Sequence, residues 1–498
     1  MVAIIAAEQQ PLVRLELDRR TQSSIIYADG EDETSSTAEK ESCNAESDDG
    51  SGNNQNNKCH GSSVVQTALN MTKMCMGTGT LALPFAAEKG GLIFNVVGLA
   101  LIAVWNYYCA NCVLRCWDCL HPRIKRGDLD TDVERSSARQ PQDYGSVEDQ
   151  ERLQQLDNRK PPPVGTTSYA SVAWYAAGPA GLLVVDLLML LLMVMLIIAY
   201  EVAMISFIDD MPITTGSRKI DIIIPSVIVA LLSCSPDVSF LSKFSIIGLL
   251  ALALSFIVIV WQGLVENGLA GFQSTMNLWP KNLTDASSWF GVVVFGYGIV
   301  PFILNFHESM KTPKHIGLAM KMGLILVFFA YIVISSGVRI LFSPSHSFDG
   351  DVLQALPTNS WLALIVRLLM TFVVAMTAPL IVVPCGEMIE GKLGIGVDEI
   401  RKRIAVRVLL CMLCTGLAEY APGFVHIVSF IGCFCVSIVG FVLPPLFCIQ
   451  LTYKTRKESM AKMDLISYSD VGALAIGIIS TALTSTMTFG EMRKSQQQ

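Results

Sequence analysis

Gly77 and Gly79 alternate with Thr78 and Thr80 inside a membrane-length apolar stretch, Asn70–Gly91 (NMTKMCMGTGTLALPFAAEKGG). A helix in lipid must satisfy its own backbone, because hydrocarbon supplies no hydrogen-bond partners. Two glycines at i and i+2, with Pro84 just beyond, weaken that helix where it should be most regular. Such a break is tolerated at membrane depth where the freed N–H and C=O groups face protein, water, an ion or a bound molecule. The chemistry this points to is polar recognition during transport. A glycine-lined packing face is the alternative, since glycine is common in membrane helices.

A second interruption follows. Phe290–Pro301 reads FGVVVFGYGIVP, with Gly296 and Gly298 flanking Tyr297 and Pro301 a turn later. Two Gly/Pro breaks five spans apart are the pattern of an inverted-repeat transporter. Half-helix N-termini would offer N–H groups to an anionic group near the midplane, and opposed carbonyl ends would suit a cation or an ammonium. Together they make a site for a zwitterion such as an amino acid. The expected substrate contacts are Gly77, Thr78, Gly79 and Thr80 with Phe295, Gly296, Tyr297 and Gly298. Tyr200, in the third span, could act as an aromatic gate, and Tyr297 is its rival. Packing tyrosines with satisfied hydroxyls are the plain alternative for both.

The elements that would carry these residues follow from composition. The chain has 498 residues, 52% hydrophobic and 16% charged, against about 25% charged in soluble domains. Apolar runs at 63–88, 92–119, 181–208, 220–236, 240–266, 287–309, 318–343, 359–384, 404–420, 424–452 and 467–489 make eleven expected spans, each near the length that crosses a bilayer. Residues Thr167–Gly181 are too rich in small and polar residues to count as a span and read as an amphipathic approach to the third. The fold class is thus an all-α integral membrane domain over 63–491, with a polar cytosolic loop at 120–166 and a short tail at 492–498. Residues 1–62 read as a disordered cytosolic tail, because Asp29–Asn57 has almost nothing to bury.

Loop charges orient the bundle. Arg123, Lys125 and Arg126, then Lys311 and Lys314, then Lys392, Arg401, Lys402 and Arg403 fall in connections that are cytosolic if the N-terminus is cytosolic. Asn282 opens a glycosylation sequon, Asn282-Leu283-Thr284, in a loop on the opposite side. Fourteen cysteines lie in the tail or in apolar segments, so no disulfide framework is implied. Cys109, Cys112, Cys116 and Cys119 form a helical stripe, read as small packing residues and not as a metal site. No metal or cofactor is expected, and the net charge of −7 gives no reason to expect nucleic acid. A membrane enzyme would need a convergent His, Cys or acidic cluster, yet the six histidines are scattered. No Walker A sequence appears. An amino acid sensor using the same site is the closer rival, with the tail as its recruiting arm.

Lys73–Pro84 (KMCMGTGTLALP) and Phe290–Pro313 (FGVVVFGYGIVPFILNFHESMKTP) resemble the first and sixth spans of the proton-coupled branch of the amino acid/auxin permease family. Arg367–Pro384 (RLLMTFVVAMTAPLIVVP) is similar to the eighth span of that family's sodium-coupled branch. The resemblance implies a LeuT-like fold of two inverted five-helix repeats plus one helix, in a vacuolar, lysosomal or plasma membrane. It also implies that Thr377 stands where the sodium-coupled branch has a cation ligand. Lys73 lies close to the same site, and an intramembrane ammonium should contact carbonyls or a carboxylate, taking the place of a sodium ion. Snorkelling to an interface is its alternative role. The expectation is sodium-independent, proton-driven transport. Glu201 lies deep in an apolar run, a setting that favours the neutral acid and suits a proton carrier. Asp186 and His307 are further candidates, nearer the cytosolic ends of their spans. Relatives often have an acidic residue in the sixth-span break, where this chain has Gly298.

Overall fold

Leucine, isoleucine, valine and alanine dominate the apolar runs, and within lipid such runs close their hydrogen bonds as helices. The computed structural model describes residues 62–130, 162–163, 166–209, 211, 217–234, 239–268, 277–342, 350–356, 360–396, 398–455 and 465–495. The expected tail and most of the 120–166 loop lie outside them. Among the described residues the chain is helical, with no strand beyond an isolated bridge between Ser62 and Met310.

The first expected span is two helices, α1 (Val64–Cys75) and α2 (Leu83–Gly90), joined by a 3₁₀ turn, Thr78–Ala82. After α3 (Leu92–Asp130) come α4 (Ser168–Ala177), α5 (Pro179–Asp209), α6 (Arg218–Ser233) and α7 (Ser239–Asn267). The sixth span is again broken, into α8 (Leu283–Gly296), a 3₁₀ turn Val300–Phe302 and α9 (Ile303–Ser309). Then follow α10 (Ile316–Ile332) and α11 (Val338–Phe342), joined by a π turn at Val333–Gly337. The remaining helices are α12 (Trp361–Thr377), α13 (Pro379–Lys392), α14 (Ile400–Glu419), α15 (Phe424–Ile431), α16 (Leu443–Thr455) and α17 (Leu465–Ser495).

By length and apolarity, seven of these helical stretches can cross a membrane, and Ile220–Ser233 and Leu250–Glu266 are shorter apolar helices. The first span is not among the seven, because Asn70, Lys73, Glu88 and Lys89 lower its hydropathy, whereas the equally broken sixth span, Leu283–Ser309, is counted. Helix α14 fails it because Arg401, Lys402, Arg403 and Arg407 crowd its start. This is a multi-pass membrane protein.

One expectation changes. The segment read as an amphipathic approach is the separate helix α4, with Tyr169, Ala170, Val172, Ala173 and Ala176 all buried. Thr167 caps it, and Gly178, at φ +73°, ends it before α5 begins. Its small residues let it pack inside the bundle, and Tyr169 donates to Val439 O at 2.7 Å.

The broken helices sit at the centre. Gly291 on α8 and Gly432, just after α15, let two backbones touch, since a Cβ on Gly432 would meet Gly291 O at 1.8 Å. A buried polar chain fixes the other flank of α8. Trp289 Nε1 donates to Asn95 Oδ1 at 2.8 Å, and Asn95 Nδ2 reaches Ser335 and Ser336 at 2.8 and 3.0 Å. These two serines lie in the π turn after α10. Away from the centre, Arg407 and Arg403 of α14 hold Glu390 of α13 at 3.2 and 2.7 Å.

Candidate functional site

Local sequence explains why both spans break. Gly77 follows the C-cap Met76 with extended dihedrals (φ −102°, ψ −164°), and no side chain caps the turn that begins at Thr78. The first N–H groups of such a turn have no acceptor within it. The Thr80 hydroxyl bonds back to Gly77 O at 2.7 Å, tightening the turn. Pro84 then sits in the first turn of α2, where a missing N–H costs nothing. In the sixth span α8 ends at Gly296, and Ile299 N donates to Tyr297 O at 2.6 Å in a tight reversal. Pro301 falls in the following 3₁₀ turn.

The two breaks face one another across a cavity of about 20 Å³. Of the expected contacts, Gly77, Thr78, Gly79, Tyr200, Phe295, Gly296 and Gly298 line it. Tyr200 lies beside Thr78, so α5 contributes the third wall. The Phe295 ring covers Gly79 so closely that a Cβ there would be 2.5 Å from Cε1. Nothing lies within 4 Å of a Cβ placed on Gly77, which faces open space.

Other expected residues sit elsewhere. Tyr297 is fully buried behind the cavity, its ring 5.1 Å from that of Tyr331. Thr80 is occupied within its own turn. The Thr377 hydroxyl turns back on α12, toward Val373 O and Val374 O at 2.9 and 3.1 Å. Lys73 is half-buried in the last turn of α1, at the negative end of that helix dipole. No hydrogen bond or ion pair joins it to Thr377. Asp186 pairs with Lys392 at 2.9 Å, while His307 lies in the last turn of α9. Asn282 is exposed and caps α8, accepting from Asp285 N at 2.7 Å.

Glu201 neighbours Tyr200 in sequence, but helical geometry turns its side chain about 100° away. It is 1% exposed, and among the described residues neither carboxylate oxygen has a hydrogen-bond partner. Ser226 of α6 and Thr415 of α14 stand beside it, with Cys411 and Cys414 on the same face of α14. The Ser226 hydroxyl likewise lacks a partner among them.

Both ends of the broken pair are tied. At one end Ser62 N donates to Ser309 O at 2.8 Å and Lys311 N to Ser62 O at 3.0 Å, joining the start of α1 to the end of α9. At the other, Arg339 meets Glu88 at 2.7 Å and Lys89 meets Asp285 at 3.4 Å. The cavity between these ties has room for about one water.

Sequence reasoning missed Met74, Cys75, Leu196 and Ile299, which complete the lining. It also missed Tyr331, whose hydroxyl lies 2.8 Å from Cys75 O and 2.9 Å from Gly296 O. Those carbonyls end α1 and α8. No local pattern marks Tyr331, but its place in the first span after the second break is a usable signal. Among the described residues, no three His, Cys, Asp or Glu side chains are arranged to hold a metal.

The chain is 21% identical over 415 residues to amino acid transporter ANT1 of Arabidopsis thaliana, covering 78% of this chain and 85% of that protein. The transmembrane amino acid transporter protein family matches residues 60–128 and 156–489, which include both breaks, Tyr200, Glu201 and Tyr331. With a match over most of its length, the chain belongs to the transmembrane amino acid transporter protein family.

Proposed function

We propose that this protein is a secondary active transporter that moves amino acids across a membrane by alternating access, driven by protons and independent of sodium. One observation carries the reading: the carbonyl ends of α1 and α8 converge within reach of one hydroxyl, beside a cavity whose far wall is the uncapped turn at Thr78. Each helix C-terminus carries roughly half a negative charge, and uncapped N–H groups offer the opposite sign. A zwitterion with its carboxylate toward the Thr78 turn and its ammonium toward the negative helix ends that the Tyr331 hydroxyl holds together matches both.

The cavity of about 20 Å³ is smaller than an amino acid, so loading requires movement. The halves that must move are those tied by Ser62 at one end and by Glu88 and Lys89 at the other. Releasing one tie at a time opens the site to one side at a time. Phe295 and Tyr200 would then yield to the substrate side chain.

Glu201 is the proton carrier in this account. A buried carboxylate without a partner is costly, and protonation relieves that cost. The groups facing it, Ser226, Thr415, Cys411 and Cys414, bring no countercharge. Its neighbour Tyr200 links it through α5 to the cavity wall. The membrane is that of a vacuole or lysosome, or the cell surface, with the N-terminus cytosolic.

The test is uptake of a radiolabelled amino acid panel into proteoliposomes at acidic and neutral external pH. Saturable uptake of at least one amino acid, faster at acidic pH, supports the proposal. Absence of flux with retained amino acid binding would favour a sensor.

A further inference from the structure

Tyr331 links the two breaks through a neutral group where the local field calls for a positive one. Its hydroxyl reaches Cys75 O at 2.8 Å and Gly296 O at 2.9 Å. A phenol has one proton to donate, so one carbonyl receives it while the other faces an oxygen lone pair. These carbonyls terminate helices of 12 and 14 residues, long enough for each end to carry roughly half a negative charge. The ring is fully buried and leans on Tyr297, whose own hydroxyl has no hydrogen-bond partner among the described residues. Carbonyls at the C-terminal ends of broken membrane helices are the donors that hold coupling cations in transporters of this construction. A Cβ on Gly296 would come within 2.7 Å of Tyr331 Oη, so the glycine is what admits the hydroxyl to this position. Two residues beyond Tyr331 the helix widens into the π turn Val333–Gly337, a distortion often found at functional sites.

We infer that Tyr331 is a positioning residue that stands in for a monovalent cation. Its hydroxyl proton ties the C-terminal ends of α1 and α8 together, so that the site assembles without a bound metal ion. This rests on the proposed amino acid site. The donated hydrogen bond does the work a sodium ion would do between two carbonyl ends, and it passes from one carbonyl to the other as the helices shift. Removing the hydroxyl while keeping the ring leaves those oxygens facing a gap suited to a small cation.

The experiment compares wild type with Tyr331→Phe in proteoliposomes under one imposed pH gradient, in choline, potassium, lithium or sodium chloride. Wild type should show the same KM in all four salts. The variant should show a KM raised about tenfold in choline and potassium, the upper scale of one neutral hydrogen bond. Sodium or lithium should recover at least half of that loss. A wild-type KM in every salt, or an equal loss in all four, overturns the inference.

Tyr331→Asn, which keeps a shorter donor, is measured alongside and should also respond to sodium. If neither variant folds even in sodium, the inference fails, because the ion should replace the hydroxyl. Melting of purified Tyr331→Phe with and without sodium gives a readout that needs no transport. Sodium should raise its midpoint and leave the wild type unmoved, since a bound ion stabilises the state it binds. If wild type moves no amino acid but this shift appears, the transport reading fails and the cation inference stands.

Discussion

The Phe295 ring lies directly over Gly79, so that a single added methyl would sit 2.5 Å from Cε1. The two broken spans are thus interlocked at their thinnest point, and the side chain from one break forms the lid over the other. Gly79→Ala must push Phe295 aside, an overpacking that costs about 1–3 kcal/mol. It should lower the melting midpoint and cut uptake by at least tenfold. Adding Phe295→Ala should recover the midpoint, because it removes the clash, without restoring uptake. A melting curve and a flux assay on the single and double variants check both statements.

Gly77 should behave differently. Nothing lies within 4 Å of the place its Cβ would take, and its dihedrals suit any residue. Gly77→Ala should therefore fold as wild type and intrude on the cavity. The expected result is an unchanged melting midpoint with a KM raised several-fold. A lowered midpoint with unchanged KM would place Gly77 outside the site.

Replacing Glu201 by Gln keeps its volume and removes its proton exchange. An inward proton gradient should then no longer accelerate net uptake, while exchange of internal for external substrate continues. The Ser226 and Thr415 hydroxyls beside it can accept from the amide, so the melting midpoint should stay close to wild type. Comparing gradient-driven uptake with exchange in the same vesicles separates the two effects.

Arg407 and Glu390 test the frame around the site. Both are buried, and Arg407 also donates to Ser233 O at 3.1 Å, joining α6, α13 and α14. Removing one member leaves each charge a second partner, Arg403 at 2.7 Å for Glu390 and Glu387 at 3.5 Å for Arg407, so the loss should fall below the ~3–5 kcal/mol of a stranded charge. Glu390→Gln and Arg407→Met should each melt below wild type, and the double variant should recover part of the loss. Thermal melting of the purified proteins reads the outcome.

Asn282 offers a test of orientation. Its side chain caps α8, so Asn282→Gln would remove a cap worth about 1 kcal/mol along with the acceptor for a glycan. Thr284→Ala destroys the sequon and keeps the cap. If the loop faces the lumen or exterior, wild type should lose mobility-retarding mass on glycosidase treatment and Thr284→Ala should already lack it. Identical migration of the two before treatment would contradict that placement.

The breaks were legible in the sequence because glycine and proline act through local backbone sterics, which spacing alone displays. Gly77, Gly79, Gly296 and Gly298 therefore fall where expected, on one cavity. Residues that meet the breaks from other helices were not legible to the same degree. Tyr331 and Leu196 are apolar-run residues like their neighbours, and helix rotation alone decides that they face inward. Tyr297 shows the converse, since a local argument placed it in the break but could not show that its ring turns toward α10. Helix α4 was legible as too short and too rich in small residues to be a span, but not as buried, since inside a bundle small residues are what allows close packing. Glu390 and Arg407 pair across 17 residues, a contact that no local pattern displays.

The central claim is that the paired breaks hold an amino acid and that movement through them follows protons without sodium. Uptake into vesicles with separately imposed pH and sodium gradients tests it most directly. The account predicts concentrative uptake under an inward proton gradient in sodium-free medium, and no added drive from sodium. A strict requirement for sodium, with indifference to the proton gradient, would contradict it.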